Sequence, residues 1–222
     1  SESIPVSVII CAKNEADNLK KFLPSIISQD YPIFEIILIN DASRDKTLKV
    51  MESFTSISDK IKIVNVKNIE AFWGNKKYAL TLGIKVAKYD YLLFTDADCK
   101  PVSKHWISEM SSHFNKSKTI VLGYSNYIKI KKSLLNKLIR FETLLTAIHY
   151  FSFANIGLPY MGVGRNLAYK KSEFFNANGF MNHMNIRSGD DDLFINQIAN
   201  SNNTAICISH DSFTESIPET TF

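Results

Sequence analysis

Phe94-Thr95-Asp96-Ala97-Asp98 closes an apolar run, and two acids separated by one residue have a chemical use at that place. In an extended chain, residues two apart face the same way, so Asp96 and Asp98 can direct both carboxylates toward one point. Two hard oxygen donors, completed by phosphate oxygens, suit Mg²⁺ or Mn²⁺, and such a cation neutralises a diphosphate leaving group. The rival use is local, as an N-cap or first-turn acid for a helix that follows near Ser103. A second acidic group, Ser188-Gly189-Asp190-Asp191-Asp192-Leu193, opens a stretch of helical periodicity. Three consecutive carboxylates repel one another unless a cation, cationic side chains or a raised pKa relieves them. One of them at the mouth of a pocket can take a proton from an attacking hydroxyl; the rival is a helix start, where acids meet the positive end of the dipole.

Other polar residues join these two groups. Asn14 and Glu15 follow a first apolar run, and Asp41 follows a second, where its carboxylate can accept a hydrogen bond from a base or ribose or, with Ser43, cap a helix. Lys76, with Lys77 beside it, stands at a helix start able to meet phosphate or base, or to remain solvated. Arg165 lies in Gly162-Val163-Gly164-Arg165-Asn166, where a guanidinium can reach a diphosphate and glycines permit close backbone approach.

These residues need a scaffold that brings them together. Val6 to Cys11, Phe34 to Asn40, Ile61 to Val66 and Tyr91 to Thr95 read as strands. Between them lie helical patterns: Leu19, Phe22, Leu23, Ile26 and Ile27; then Leu48 and Met51; then Asn75 to Ala87. Alternation at this spacing implies an α/β fold, a mostly parallel central sheet flanked by helices, with its ligand crevice outside the carboxyl ends of the strands, where the acids collect. The second half reads as a helix from Trp106 to Phe114, a strand from Ile120 to Tyr124 and a long helix from Ser133 to Phe153. A Gly-rich passage from Met161 to Asn166 follows, and Ala205 to Ser209 reads as a final strand. No repeat or linker divides the chain, so the expectation is a single domain over 1–222, with 1–100 binding a nucleotide and 101–222 an acceptor.

Composition narrows the partners. The net charge of +4 comes from dispersed basic residues apart from short runs such as Lys129–Lys132, which argues against nucleic acid and suits an anionic small ligand, a membrane surface or plain solvation. Cys11, Cys99 and Cys207 are odd in number and far apart, which fits reduced thiols in the cytoplasm. No Lys, Arg, Asp or Glu occurs from Thr143 to Gly164, but His149, Asn155, Gly157 and Pro159 interrupt that stretch, so it reads as a buried or interfacial helix rather than a span. Its aromatic residues Phe141, His149, Tyr150, Phe151, Phe153 and Tyr160 are candidates for an acceptor wall, a lipid-facing surface or core.

Taken in order along nearly the whole chain, these motifs resemble the family 2 glycosyltransferases, the inverting group that includes cellulose, chitin and hyaluronan synthases and many bacterial polysaccharide enzymes. Val6-Ser7-Val8-Ile9-Ile10 with Asn14-Glu15 is similar to the family's opening strand and Asn-Glu pair. Ile39-Asn40-Asp41-Ala42-Ser43 is similar to its Asp-Gly/Ala-Ser element, and Lys76 to the lysine of its Gly-Lys-x-x-Ala-Leu, with Asn75 in place of glycine. Asp96 and Asp98 match the family's Asp-x-Asp, and Gly189-Asp190 stands where its Glu-Asp pair carries the catalytic base.

The resemblance implies a GT-A fold and transfer from a nucleotide-diphosphate sugar, of which UDP-sugars are the commonest, to a saccharide or lipid-linked acceptor by single displacement. The implied catalytic residue is Asp190, with Asp192 second. The nucleotide-binding set is Ala12, Asn14, Glu15, Asp41, Lys76, Asp96 and Arg165, and Asp98 and Asp96 hold Mg²⁺ or Mn²⁺. The family's Gln-x-x-Arg-Trp motif is absent, and Thr220-Thr221-Phe222 stands where it would follow; the expectation is a catalytic fragment, cytoplasmic, of a full-length protein anchored at the inner face of the membrane. The rivals are a nucleotidylyltransferase, which would open with a Gly-rich loop where Ala12-Lys13-Asn14-Glu15 has none, and a non-catalytic nucleotide or sugar binding module. The chain also lacks the Gly-x-Gly-x-x-Gly of a dinucleotide-dependent dehydrogenase.

Overall fold

The structure is a computed structural model describing residues 3–67, 76–183, 186 and 189–218. Its first half alternates β1 (Val6–Ala12), α1 (Ala16–Ile27), β2 (Phe34–Asp41), α2 (Thr47–Thr55), β3 (Ile61–Val66), α3 (Lys76–Val86) and β4 (Tyr91–Asp96). β1 and β2 are buried along almost their whole length, as strands covered on both faces must be, which is why they read as apolar runs and not as alternation. The four strands are parallel in the order β3-β2-β1-β4. On one face Ile36 and Leu38 belong to one buried cluster with Leu19, Leu23, Met51, Trp106 and Ile107. On the other, Ile37 and Ile39 belong to a second buried cluster, with Ala79 and Ile84 of α3 and, further along the sheet, Tyr150 and Phe194. Gly83 of α3 comes so close to β2 that a Cβ there would lie 2.2 Å from Ile39 Cδ1.

The second half extends this sheet and adds another. β5 (Cys99–Pro101), α4 (Trp106–Ser112), β6 (Ile120–Leu122), β7 (Ser125–Tyr127), α5 (Leu134–Asn155), β8 (Leu167–Lys170), α6 (Lys171–Asn176), α7 (Asp192–Ile198), β9 (Thr204–Ile206) and β10 (Thr214–Ser216) follow in chain order. β8 runs antiparallel between β4 and β6, giving a seven-stranded sheet in the order β3-β2-β1-β4-β8-β6-β9. β5, β10 and β7 form a separate three-stranded sheet. Among the described residues no helix is long and apolar enough to cross a membrane.

Several expectations need correction here. The strand expected over Ile120–Tyr124 breaks at Gly123, where a Cβ would lie 2.6 Å from the Asn166 side chain, and the chain passes from the large sheet into the small one. β5, β7, β8 and β10 were not expected; three of them have only three residues, too few to display a period. The last strand of the large sheet is Thr204–Ile206 and not Ala205–Ser209, because the chain leaves the strand at Cys207 and leads into a 3₁₀ turn over His210–Ser212. The helix expected from Asn75 begins, within the described residues, at Lys76; Asn75, Ser188 and Thr220 to Phe222 lie outside them.

Asn166 ties the separate pieces of the second half together. It is fully buried, accepts from Trp106 Nε1 at 2.9 Å, and donates to the carbonyls of Tyr124 and Ser212, each at 2.8 Å.

Candidate active site

Backbone register sets the front of the site. Cys11 of β1 pairs with Asp96 of β4, and Ala12 with Asn40 of β2, so three strands end side by side. The loops that leave them are laced to one another. Asn14, in a left-handed conformation at φ +59°, donates its N–H to Ser43 Oγ at 3.0 Å and accepts from the Arg44 N–H at 2.8 Å. The Glu15 N–H donates to Thr47 Oγ1 at 2.8 Å, and Asp45 accepts from the N–H groups of Thr47 and Ala16. Ala12 is buried at the base of this lattice. Asn14 therefore shapes the loops, whereas Glu15 and Asp41 line a cavity of about 350 Å³ with Cys11, Lys13, Lys76, Asp96, Ala97 and Asp98. Asp41 is buried and meets Lys13 Nζ at 3.4 Å, and α2 has no side-chain cap, so neither Asp41 nor Ser43 serves there as one.

Lys76 joins the distant acidic groups. Its ammonium lies 3.1 Å from Asp96 Oδ1 and 3.4 Å from Asp190 Oδ2. Partial burial alone would lower its pKa, but Asp96 and Asp190 outweigh that and raise it, so the lysine stays charged. Burial pushes the Cys11 thiol up to about 12, against the pull of Lys76, and leaves it no reactive thiolate at the cavity wall. Glu15 is also raised, chiefly by desolvation, against the hydrogen bond donated by Asn18. A narrow extension lined by Lys76, Asp96, Gly164, Asp190 and Asp191 runs on toward Phe180.

The three consecutive acids separate into three situations. Asp191 caps α7, accepting from the Asp192 N–H at 2.9 Å, and also accepts from the Gly164 N–H at 2.6 Å. Asp192 sits in the first turn of α7, where burial, then Asp191 and Asp190, raise its carboxyl to about 6. Asp190 precedes the cap, after Gly189 at φ +75°, and is the member that reaches Lys76. The helix-start use thus belongs to Asp191 and Asp192, and Asp190 is left for other work.

Asp96 and Asp98 are not caps either, because β5 follows them and α4, with His105 at its N-cap position, has no side-chain cap. Among the described residues, no group of three or more His, Cys, Asp or Glu could hold a metal by itself. The two carboxylates on the cavity nevertheless fit a hard divalent cation whose remaining ligands are phosphate and water oxygens. Ser216 Oγ donates to Asp98 Oδ2 at 2.5 Å and holds that carboxylate from behind, a contact no sequence pattern announced.

Arg165 is placed apart from this cavity. Its guanidinium stacks over Tyr127 at 4.5 Å and lines a second cavity with Tyr124, Ser125, Glu142 and Thr146. Sequence reasoning also passed over Lys77 as a buried group: it is 2% exposed and donates to the Ile186 carbonyl at 2.6 Å, fastening the loop before Asp190 to α3. Of the aromatic candidates, Tyr150 is core, whereas Phe141 and Phe153 are exposed.

A parallel sheet with an acid-lined, nucleotide-sized cavity at its carboxyl edge, extended by an antiparallel strand and a second small sheet, defines a GT-A type glycosyltransferase domain. A model of the family described as Glycosyl transferase family 2 matches residues 7–186, and the chain belongs to that family. It is 38% identical over 93 residues to the poly-β-1,6-N-acetyl-D-glucosamine synthase of Staphylococcus epidermidis, covering 42% of this chain and 21% of that protein. It is 31% identical over 125 residues to an Escherichia coli UDP-Glc:α-D-GlcNAc-diphosphoundecaprenol β-1,3-glucosyltransferase, covering 55% of this chain and 45% of that one. The chain thus spans less than half of either relative's length. A mannosyltransferase from Pyrobaculum calidifontis, solved with GDP-Man and Mn²⁺, superposes with a TM-score of 0.74 at 18% identity, over 99% of this chain and 59% of that one, a likeness of fold.

Proposed function

We propose that this domain moves a sugar from a nucleotide-diphosphate donor, a UDP-sugar, to a hydroxyl of a saccharide or lipid-linked acceptor, with inversion. One observation carries the reading: Asp96 and Asp190, far apart in sequence, meet at one lysine beside a cavity that also presents Asp41 and Asp98. The same donor class occurs in the name of the Escherichia coli relative, which also names a lipid-linked acceptor.

In this reading Asp41 accepts a hydrogen bond from the base or ribose, and the laced loop of Ala12, Asn14 and Glu15 forms the floor beneath it. Asp98 and Asp96 hold Mg²⁺ or Mn²⁺, which when bound supplies charge neutralisation for the diphosphate. Lys76 offers a further cation on the same side. Asp190 takes the proton of the acceptor hydroxyl while its oxygen forms a bond to the anomeric carbon and the bond to diphosphate breaks, its electron pair leaving with the nucleotide. Attack on the face opposite the leaving group inverts the centre. Catalysis rests on charges placed in advance around an oxocarbenium-like transition state. In the cell the domain works in the cytoplasm at the inner face of the membrane, where a lipid-linked acceptor is presented and polysaccharide is assembled.

The test is calorimetric titration of UDP, GDP and dTDP with and without Mn²⁺, on the parent and on Asp98→Ala. Mn²⁺-dependent binding of UDP that the variant loses by about tenfold or more supports the donor site. Binding of no nucleotide at all removes the reading.

A further inference from the structure

The cavity between α5 and β7 shares no lining residue with the acid-lined one and encloses about 400 Å³. Ser125 in its wall is 1% exposed, yet its Oγ has no hydrogen-bond partner, and Nη1 of Arg165, in the same wall, is buried and unpartnered as well. Two such atoms left unsatisfied cost about 1–3 kcal/mol each, and both belong to side chains of this one wall, so a ligand that accepts from both would relieve that cost. A guanidinium and a hydroxyl donating together match a phosphoryl oxygen. Arg140 donates to the carbonyl of Tyr127, a residue of the cavity wall, and Glu142, also in the wall, is exposed and can accept from a hydroxyl of the same ligand. The cavity is one strand from the proposed metal site: Tyr127 of β7 pairs with Ser216 of β10, which holds Asp98.

α5 has a second use for its opposite face. Leu134, Leu138, Phe141, Leu145 and Ile148 recur at helical spacing and are 41–68% exposed. Lys129, Lys131, Lys132 and Lys137 are exposed beside the start of this stripe. Apolar side chains flanked by lysines are complementary to an anionic lipid surface, in which such a helix sinks about 5–10 Å. A helix is about 10–12 Å across, so the cavity on its far side then sits near the level of the lipid phosphates.

We propose that this cavity is an acceptor subsite for the phosphoryl group of a lipid-linked acceptor, held by Arg165 and Ser125, while the outer face of α5 rests on the anionic membrane that carries it. The inference rests on the glycosyl-transfer reading for the word acceptor, but its test is independent of nucleotide binding. Farnesyl phosphate, farnesol and inorganic phosphate are titrated into the parent, Arg165→Ala and Ser125→Ala, with Mn²⁺-dependent UDP binding measured alongside. Farnesyl phosphate binds the parent about tenfold or more tightly than either fragment, and each variant loses about tenfold while UDP affinity is retained. Farnesyl phosphate binding no better than farnesol, or unchanged by Arg165→Ala, overturns the subsite. Inorganic phosphate binding as tightly as farnesyl phosphate overturns the lipid assignment. Loss of UDP affinity in Arg165→Ala returns that residue to the donor. Vesicles containing phosphatidylglycerol sediment the parent and not the Leu138→Asp, Phe141→Asp double variant, while phosphatidylcholine vesicles sediment neither; parent that stays free of both overturns the membrane face. If UDP fails to bind but these results hold, the glycosyl-transfer reading falls and the phospholipid site stands.

Discussion

The parallel half and the second half place their functional side chains by different means. In the first, Cys11 lies opposite Asp96 and Ala12 opposite Asn40 because three buried strands share one register, and the acids at their ends follow from that. In the second, Asp190 reaches Lys76 through a left-handed glycine, a cap by Asp191 that also holds Gly164, and a buried lysine fastening the preceding loop. Binding geometry set by a sheet is hard to disturb without unfolding it, whereas geometry set by a loop can change while the fold persists. Substitutions in the two halves therefore separate binding, folding and turnover.

The largest separation is expected at Asp190. Asp190→Asn lowers the transfer rate by about 10²–10⁴-fold, the usual contribution of a general base. UDP affinity stays within about fivefold, since the lost contact to Lys76 is one partly exposed ion pair. Steady-state kinetics together with titration reads both, and a collapse of nucleotide affinity would transfer Asp190 to the donor half.

Next in size is a pair of glycines. Gly123→Ala meets the side chain of Asn166 at 2.6 Å and its backbone carbonyl at 2.9 Å, disturbing the buried amide that joins Trp106, Tyr124 and Ser212. The expected cost is about 3 kcal/mol. Gly83→Ala presses on the Ile39 side chain at 2.2 Å and is in ordinary contact with Ile37, side chains with no backbone atom or buried hydrogen bond among them, for about 1–2 kcal/mol. Urea denaturation ranks the two, and the reverse order would place the tighter constraint at the α3–β2 contact.

Legibility in the sequence divides along the same line. The four parallel strands, the helices between them and the acids after β1, β2 and β4 were readable because long buried strands give apolar runs whose ends announce themselves. The small sheet was not readable: β5, β7 and β10 are held by pairing with one another across long sequence separations. Ser216 could not be recognised as a partner of Asp98 for that reason, nor Ser125 as a cavity wall. Asp190 was singled out by motif position alone; its distance from Lys76 depends on chain folding that no local pattern encodes.

Ser216→Ala tests the contact that sequence missed. Removing the hydroxyl that steadies Asp98 weakens Mn²⁺-dependent UDP binding by about tenfold, the usual effect of a partner behind a metal ligand, and leaves metal-free binding alone. Equal affinity in parent and variant would show that Asp98 needs no support from the second half.

The smallest effect compares two acids at helix starts through pH. Asp45, in the first half, has its pKa lowered: desolvation opposes the shift, but hydrogen bonds from Thr47 and Ala16 prevail. Its contribution to stability is present above the unfolded pKa and is lost as pH falls. Asp192 behaves in the opposite sense, since burial and then its acidic neighbours raise it from 3.8 to about 6. Between those values the folded protein binds more protons than the unfolded chain, so its contribution is present below pH 3.8 and is lost as pH rises through about 6. Asp192→Asn removes that loss. Discounted for partial exposure, the variant is more stable than the parent by about 1 kcal/mol at pH 8, and the difference closes near pH 3.5. Chemical denaturation at the two pH values reads it. A gap independent of pH would mean that Asp192 carries no charge penalty, and the crowding of acids ahead of α7 would then be relieved entirely through Lys76 and the cap of Asp191.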